Sequence, residues 1–148
     1  MQTRLVLLLA GTLAFNISSG QSAVKHTEGH KGKKEKTAKA KIGTASFYAN
    51  KFNGRRMANG DIFYQHNMTA ACNTISLNTF VKVTNLRNKK IVVVKITDRM
   101  HRDNKRLIDL SRAAASQLGY TGNGLTKVKV EILGKKKPTG WKNSYAGH

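Results

Sequence analysis

The feature that most constrains the fold is the single cysteine, Cys72, because it leaves the chain with no possible internal disulfide. A small domain without disulfides must be held together by its hydrophobic core. The apolar residues that could build such a core lie within residues 42–134. This stretch is therefore the predicted folded domain. An unpaired cysteine in an oxidising compartment is expected to be either buried or reactive.

The N-terminus has the pattern of a secretory signal. Arg4 precedes an apolar run at 5–15, and small residues follow at 18–20. The run is shorter than the roughly 20 apolar residues that a membrane-spanning helix needs. Residues 1–20 are therefore predicted to be a signal peptide, with cleavage near Gly20. No cysteine near that site offers lipid attachment, so the mature chain is expected to be soluble in the periplasm or cell envelope.

Two lysine-rich segments flank the predicted domain, and the formal net charge of the chain is +20. Residues 21–41 are predicted to be a disordered linker, because so dense a positive charge cannot bury enough apolar surface to fold. Residues 135–148 are predicted to be a flexible tail. Such charge favours polyanions, and for an exported protein these are anionic envelope polymers. A nucleic-acid-binding protein is an alternative that export disfavours.

Short segments rich in β-branched residues predict a mostly β fold. The predicted strands are residues 43–48, 80–86, 91–97 and 127–133, with a polar hairpin turn at 87–90. The last strand alternates strictly, so Val128, Val130 and Ile132 should point inward. Residues 91–97 are apolar enough to be buried on both faces. A small barrel would remove the exposed sheet edges of so small a domain.

One helix is predicted at residues 112–118. Ser111 precedes it and is a favourable N-cap, and Gly119 follows it at a position where glycine commonly ends helices. Its alanines would allow close packing against a neighbouring strand.

Asp98 is the strongest candidate for an acid catalyst. It follows the predicted strand at 91–97, and a carboxylate at the mouth of an apolar strand is costly to ionise, as a general acid requires. The alternative role for Asp98 is an ion pair or turn cap with Arg99. Asp109 is expected to cap or orient the start of the helix, and Asp61 to lie in a turn.

Several motifs follow one another in a fixed order along the chain. They are Gly43-x-Ala45-Ser46-x-Tyr48, Phe52-x-Gly54-Arg55-Arg56-x-Ala58-x-Gly60, Met68-Thr69-Ala70-Ala71, Val81-x-Val83-Thr84-Asn85-Leu86, Asp98-Arg99 and Arg106-Leu107-Ile108-Asp109-Leu110-Ser111-x-Ala113-Ala114. In this order and spacing the chain resembles the rare lipoprotein A (RlpA) family. The resemblance implies a small six-stranded double-psi β-barrel with one or two short helices, distantly akin to expansins.

The resemblance also implies endolytic cleavage of peptidoglycan glycan strands that have lost their peptides. A lytic transglycosylase cuts the β-1,4 bond without water, because the 6-hydroxyl of the muramyl residue attacks its own anomeric carbon. One group can then serve first as acid and later as base, whereas hydrolytic glycosidases usually need two carboxylates. Asp98 is the expected acid/base, and Tyr48, Arg99 and Thr69 are the expected substrate-binding residues. No cofactor is expected.

The chain departs from the family pattern at Cys72, where the family usually has a histidine, and at Met100-His101, where it usually has Gly-Pro. A thiol cannot hold the positive charge or make the hydrogen bonds of that histidine. A non-catalytic, expansin-like peptidoglycan-binding module is therefore the second hypothesis. A cysteine hydrolase that pairs Cys72 with His66 or His101 is a further rival. The five histidines show no spacing typical of metal ligands.

Overall fold

The computed structural model describes residues 39–143. In this part the chain forms six strands, which are β1 (Ala40–Phe47), β2 (Thr69–Ala71), β3 (Thr79–Asn85), β4 (Ile91–Asp98), β5 (Ile108–Leu110) and β6 (Thr126–Gly134). A helix, α1, spans Arg112–Leu118, and a 3-10 turn spans Asn50–Phe52. The predicted signal peptide, most of the predicted linker and the last residues of the tail lie outside the described residues.

The six strands close into a barrel in the order β1-β5-β2-β4-β3-β6. β1 pairs with β5 and β2 with β4 in parallel, and the other neighbours are antiparallel. The predicted six-stranded, mostly β barrel with one or two short helices is confirmed. Its two shortest strands, β2 and β5, are too short to show a hydrophobic period, so the sequence pattern did not predict them as strands.

The first strand begins at Ala40, ahead of the predicted domain start at residue 42. The backbone of Ala40 pairs with Glu131, and that of Lys41 with Val130 of β6. These ladder pairings extend β1 into the lysine-rich segment. The end of the predicted linker is therefore part of the barrel.

Strand β4 is fully buried on one face and only partly covered on the other, where Thr97 alone is fully buried, which corrects the prediction that both faces are buried. Val92, Val94 and Ile96 are buried in the core, whereas Ile91 is 55% exposed and Lys95 is partly exposed. The inner side of β4 packs in the barrel interior, and its outer side is only partly covered by other segments. Among the other inward predictions, Val128 and Val130 are fully buried, and Ile132 packs against the core while partly exposed.

Helix α1 has the predicted bounds and caps. The Ser111 hydroxyl accepts a hydrogen bond from the backbone N–H of Ala114, and Gly119 adopts the left-handed conformation with φ of 70°. Ala114, Ala115 and Leu118 are fully buried against the barrel. The small alanine side chains allow the helix to approach β4 and β1 closely. No helix within residues 39–143 is long and apolar enough to cross a bilayer.

The C-terminal segment packs on the barrel as far as it is described, although residues 135–148 were predicted to be a flexible tail. The indole N–H of Trp141 donates to the Val93 carbonyl at 2.9 Å. Its ring meets the edge of Phe80 with 4.9 Å between centroids. The backbone N–H of Met68 donates to the Asn143 carbonyl. An aromatic ring and these hydrogen bonds hold the segment where its lysines alone predict a loose tail.

Candidate active-site groove

Asp98 lies at the carboxyl end of β4, at an irregularity in the pairing with β2. Residues Ala70 and Ile96 are paired, but Ala71 is paired with Asp98, so the register shifts by one residue. An irregularity of this kind re-aims a side chain at the end of a strand. The half-buried Asp98 carboxyl faces an open groove of about 530 Å³. The candidate acid is therefore on the surface of a cavity that can take a ligand.

Three donors fix the Asp98 carboxyl. The Tyr48 hydroxyl donates to Oδ2 at 2.9 Å, while the backbone N–H groups of Ala58 and Arg99 donate to Oδ1 at 2.9 and 2.8 Å. Hydrogen bonds to a carboxylate are shorter and stronger than neutral ones. The sequence predicted an apolar strand end around this carboxyl, whereas the structure places three hydrogen-bond donors on it. An ion pair or turn cap with Arg99 was the alternative role expected for Asp98. A turn cap is present, because the backbone N–H of Arg99 donates to the Asp98 carboxyl.

Tyr48 is held between aromatic rings and aims its hydroxyl at Asp98. Its ring lies 4.4 Å from Phe63 and 5.7 Å from Phe52, measured between centroids. Burial and, after it, the nearby charge of Asp98 raise the pKa of the Tyr48 phenol far above its ordinary value. Tyr48 therefore keeps its proton and acts on Asp98 as a donor. The ring also lines the groove. The sugar-binding role predicted for Tyr48 stays a prediction.

A second carboxylate, Asp109, lines the same groove. The Arg106 guanidinium donates to both of its oxygens, at 2.8 and 3.0 Å, and the Ser46 hydroxyl donates at 3.1 Å. The hydrogen bond to Asp109 raises the pKa of Arg106. Asp109 was predicted to cap or orient the start of α1, and the cap is supplied by Ser111. Asp109 lies between the buried Ile108 and Leu110 of β5 and is itself only partly buried, so its side chain points away from the core.

Arg99 lines the groove, yet its guanidinium is engaged by the protein itself. It donates to the backbone carbonyls of Cys72 and Ile75. These bonds hold the chain that follows β2 against the end of β4. Arg99 therefore shapes the groove wall, and its predicted contact with substrate stays a prediction.

Cys72 is fully buried and does not line the groove. Its sulfur lies 3.6 Å from the Thr74 hydroxyl oxygen, and its backbone N–H donates to the Asp98 carbonyl. Within residues 39–143, neither candidate histidine is hydrogen-bonded to the thiol. His66 stacks on Tyr64, and His101 lies 3.5 Å from the Asp103 carboxylate. The cysteine-hydrolase hypothesis thus has no nucleophile-base pair to rest on.

Thr69, predicted to bind substrate, lines a different cavity on the barrel. It shares that cavity with Lys95 and Thr97 rather than with Asp98. Its position follows from the parallel pairing of β2 with β4, which places Thr69 opposite Lys95. Among residues 39–143 there is no group of three or more histidine, cysteine, aspartate or glutamate side chains that could hold a metal ion.

The sequence matches a family model and several curated proteins. The model of a lytic transglycolase family matches residues 40–130. The chain is 49% identical over 100 residues to the endolytic peptidoglycan transglycosylase RlpA of Pasteurella multocida, covering 68% of this chain and 34% of that protein. It is 49% identical over 90 residues to RlpA of Pseudomonas aeruginosa, covering 61% and 26%. The chain therefore spans about a third or less of the length of these relatives.

Solved structures share the fold at low sequence identity. An expansin of Clavibacter michiganensis matches with a TM-score of 0.54 and 21% identity, over 69% of this chain and 53% of that chain. A Streptomyces papain inhibitor matches with a TM-score of 0.53 and 19% identity, over 66% and 96%. At such identities these likenesses show the fold alone, and they confirm the predicted double-psi β-barrel.

Proposed function

Because the chain belongs to the lytic transglycolase family, we propose that it is an endolytic peptidoglycan transglycosylase that cleaves glycan strands to 1,6-anhydro-muramyl ends. The observation that supports this most is the Asp98 carboxyl, held by three donors at the surface of an open groove. The relatives named RlpA are named for this activity. We further propose that the preferred strands are free of peptides, and that the protein acts in cell-wall organisation in the envelope.

A single carboxyl group can perform both proton transfers of this reaction. In the first step, Asp98 gives its proton to the glycosidic oxygen as the bond to the anomeric carbon breaks. In the second step, the Asp98 carboxylate takes the proton of the muramyl 6-hydroxyl, whose oxygen bonds to that carbon. The three donors stabilise the carboxylate that exists between the two steps, and the second transfer restores the acid.

The shape of the surface around Asp98 suits a polymer that passes across it. A smaller cavity of about 230 Å³ adjoins the groove. Tyr48, Phe52 and Asp98 line both concavities. A strand could therefore occupy both at once and place an internal bond at Asp98, as endolytic cleavage requires. Lys51 in the groove and Arg55 in the smaller cavity are exposed cations that suit the carboxylates of muramyl residues.

The test is to incubate the pure protein with peptide-free glycan strands and to look for anhydro-muramyl ends by mass spectrometry. We expect these ends to appear in internal fragments of mixed length. Intact peptidoglycan serves as the comparison and should yield fewer of them. Strands that bind without yielding any product would instead support the non-catalytic wall-binding module.

Tyr48→Phe is expected to lower kcat about tenfold, with KM changed less than about twofold. The loss corresponds to about 1.5 kcal/mol, typical of one hydrogen bond to a charged group. Initial rates of anhydro-end formation measure it. Tyr120→Phe is the matched control, because that hydroxyl donates to the Ser46 carbonyl and not to Asp98. An equal loss of kcat in both variants would argue against a positioning role for Tyr48.

Cys72→Ala is expected to leave kcat within about twofold of the wild-type value. The thiol is fully buried and off the groove, so its removal should affect stability, by about 1 kcal/mol for the small cavity it leaves. Thermal unfolding and the glycan assay measure the two effects separately. Loss of activity in a folded Cys72→Ala protein would contradict a mechanism that rests on Asp98 alone.

The anionic polymers of the envelope are a second proposed class of partner. The described part of the chain contains lysines on adjoining strands, including Lys82 and Lys129, which share the single carboxylate of Glu131 at 3.0 and 3.3 Å. The positive charge that remains would increase the encounter rate with polyanions. Binding to anionic wall polymers that weakens steeply with added salt would support this role.

A further inference from the structure

A second cavity of about 460 Å³ lies against the outer wall of the barrel. In the sheet, Phe80 of β3 is paired with Lys95 of β4, and Lys95 with Thr69 of β2. These three side chains therefore form a row on one face, and Thr97 follows on that face because alternate residues of a strand point the same way. Their chain neighbours, such as Val94 and Ile96, point into the core. We call this space the outer-wall cavity.

Two aromatic side chains from outside the sheet help to enclose the outer-wall cavity, namely Trp141 and Tyr64. The Trp141 indole is held in place by its hydrogen bond to Val93 and its edge contact with Phe80. Tyr64 is 41% exposed and stacks on His66. Aromatic rings fixed at the border of a cavity offer flat apolar surfaces without losing conformational freedom when a ligand binds.

Two buried hydroxyls in this cavity have no hydrogen-bond partner among residues 39–143. They belong to Thr69 and Thr97, which are 3% and 2% exposed. An unpaired buried polar group is destabilising and rare in native proteins, so each one points to a missing partner. Both residues line the outer-wall cavity. The two hydroxyl oxygens are themselves closed to solvent, so these residues contribute to the wall of the cavity.

The charge of the outer-wall cavity is positive. Lys95 and Lys137 line it, and Asp61 is the single carboxylate among its lining residues. No described carboxylate lies within 4.0 Å of either lysine ammonium group. The ammonium group of Lys137 lies 5.9 Å from the centre of the Trp141 ring. An unpaired ammonium group beside an aromatic face suits a ligand that has an apolar surface and a negative group close together.

We propose that the outer-wall cavity binds a carboxylate-bearing amino-sugar residue of a glycan strand, at a site separate from Asp98. The aromatic rings would take the apolar face of the sugar ring, and the lysines its carboxylate. The choice of a glycan as ligand rests on the proposed function. The site would hold a strand at a second point while another part of it lies at Asp98.

The only tryptophan of the chain, Trp141, lies in this cavity, so intrinsic tryptophan fluorescence reports on the site directly. The probe is a set of peptide-free glycan strands, whose muramyl residues carry free carboxylates. The titration uses Asp98→Asn protein, so that the strands are not cut. We expect a saturable change of emission, and we expect neutral chitohexaose to bind at least about tenfold more weakly, as one lost charge-assisted contact implies.

Two matched variants distinguish binding at this cavity from general electrostatic attraction between the protein and the strands. Lys137→Gln should raise the Kd for strands about tenfold, whereas Lys136→Gln, an exposed neighbour outside the cavity, should leave it within about twofold. Emission unchanged by strands, equal affinity for chitohexaose, or equal effects of the two variants would overturn the proposal. Anhydro ends formed by the wild-type protein, with no emission change when Asp98→Asn protein is titrated with the same strands, would overturn the cavity alone. An emission change in the Asp98→Asn titration, with no anhydro ends formed by the wild-type protein, would support the cavity and contradict the proposed cleavage.

Discussion

Replacing Asp98 by asparagine is expected to lower the rate of anhydro-end formation by about 10³–10⁴-fold, the upper part of the range for acid-base groups. The loss should be this large because one carboxyl group carries both proton transfers. Asparagine has nearly the same shape and still accepts the backbone hydrogen bonds of Ala58 and Arg99 through its amide oxygen. The fold should therefore be retained. Mass spectrometry of the glycan products measures the rate, and thermal unfolding checks the fold.

Two other aspartates provide the controls for Asp98→Asn. Asp103 is 76% exposed at its side chain and lies beside His101, so Asp103→Asn should leave the rate within about twofold. Asp109 lines the same groove, but Arg106 occupies both of its oxygens, so Asp109→Asn should lower the rate much less than Asp98→Asn. If Asp109→Asn abolished cleavage and Asp98→Asn did not, the roles assigned to the two carboxyl groups would have to be exchanged.

The parts of the fold that could be predicted from sequence are those with a local cause. Helix α1 has its cap at Ser111 and its glycine at 119, and both act within a few residues of the helix. The alternation in β6 spans the whole strand and gave its inward face. β2 and β5 have three residues each and exist because neighbouring strands pair with them. No pattern within three residues can reveal that.

The candidate site also has one part that the sequence predicts and another that it does not. The position of Asp98 at the end of an apolar strand is visible in the sequence. Its hydrogen-bond partners are not, because Tyr48 and Ala58 lie 50 and 40 residues away along the chain and reach Asp98 only when the barrel closes. That Thr69 lies in a different cavity from Asp98 could not be predicted for a related reason. The pairing of β2 with β4 decides which wall of the barrel it faces.

Asn85→Ala is expected to destabilise the protein by about 2–4 kcal/mol and to lower Tm by about 10 °C or more. Asn85 is 1% exposed. Its amide donates to the Leu118 carbonyl at 2.9 Å, and its oxygen accepts from the Arg87 backbone and the Thr126 hydroxyl, each at 3.0 Å. One side chain thus joins the ends of β3 and α1 to the start of β6. Truncation removes all three bonds and one of the two donors to the Leu118 carbonyl, and it leaves a cavity in a buried place.

Asn88→Ala is the matched control for this loss of stability. Asn88 donates to the same Leu118 carbonyl at 2.8 Å, but it is exposed, so its removal should cost less than about 1 kcal/mol. Urea and thermal unfolding followed by circular dichroism measure both variants. Equal losses would show that the bond to the Leu118 carbonyl, rather than the buried group of three bonds, carries the stability.

Asn85→Ala also tests whether stability and chemistry are separable in this barrel. β3 and β4 are antiparallel, with Thr84 paired to Ile91 and Thr79 to Ile96. Asn85 at the end of β3 and Asp98 at the end of β4 therefore lie at opposite ends of the barrel. Below its unfolding transition, Asn85→Ala should cleave glycan strands with kcat within about twofold of the wild-type value. A lower kcat in the fully folded variant would mean that the groove geometry depends on the far end of the barrel.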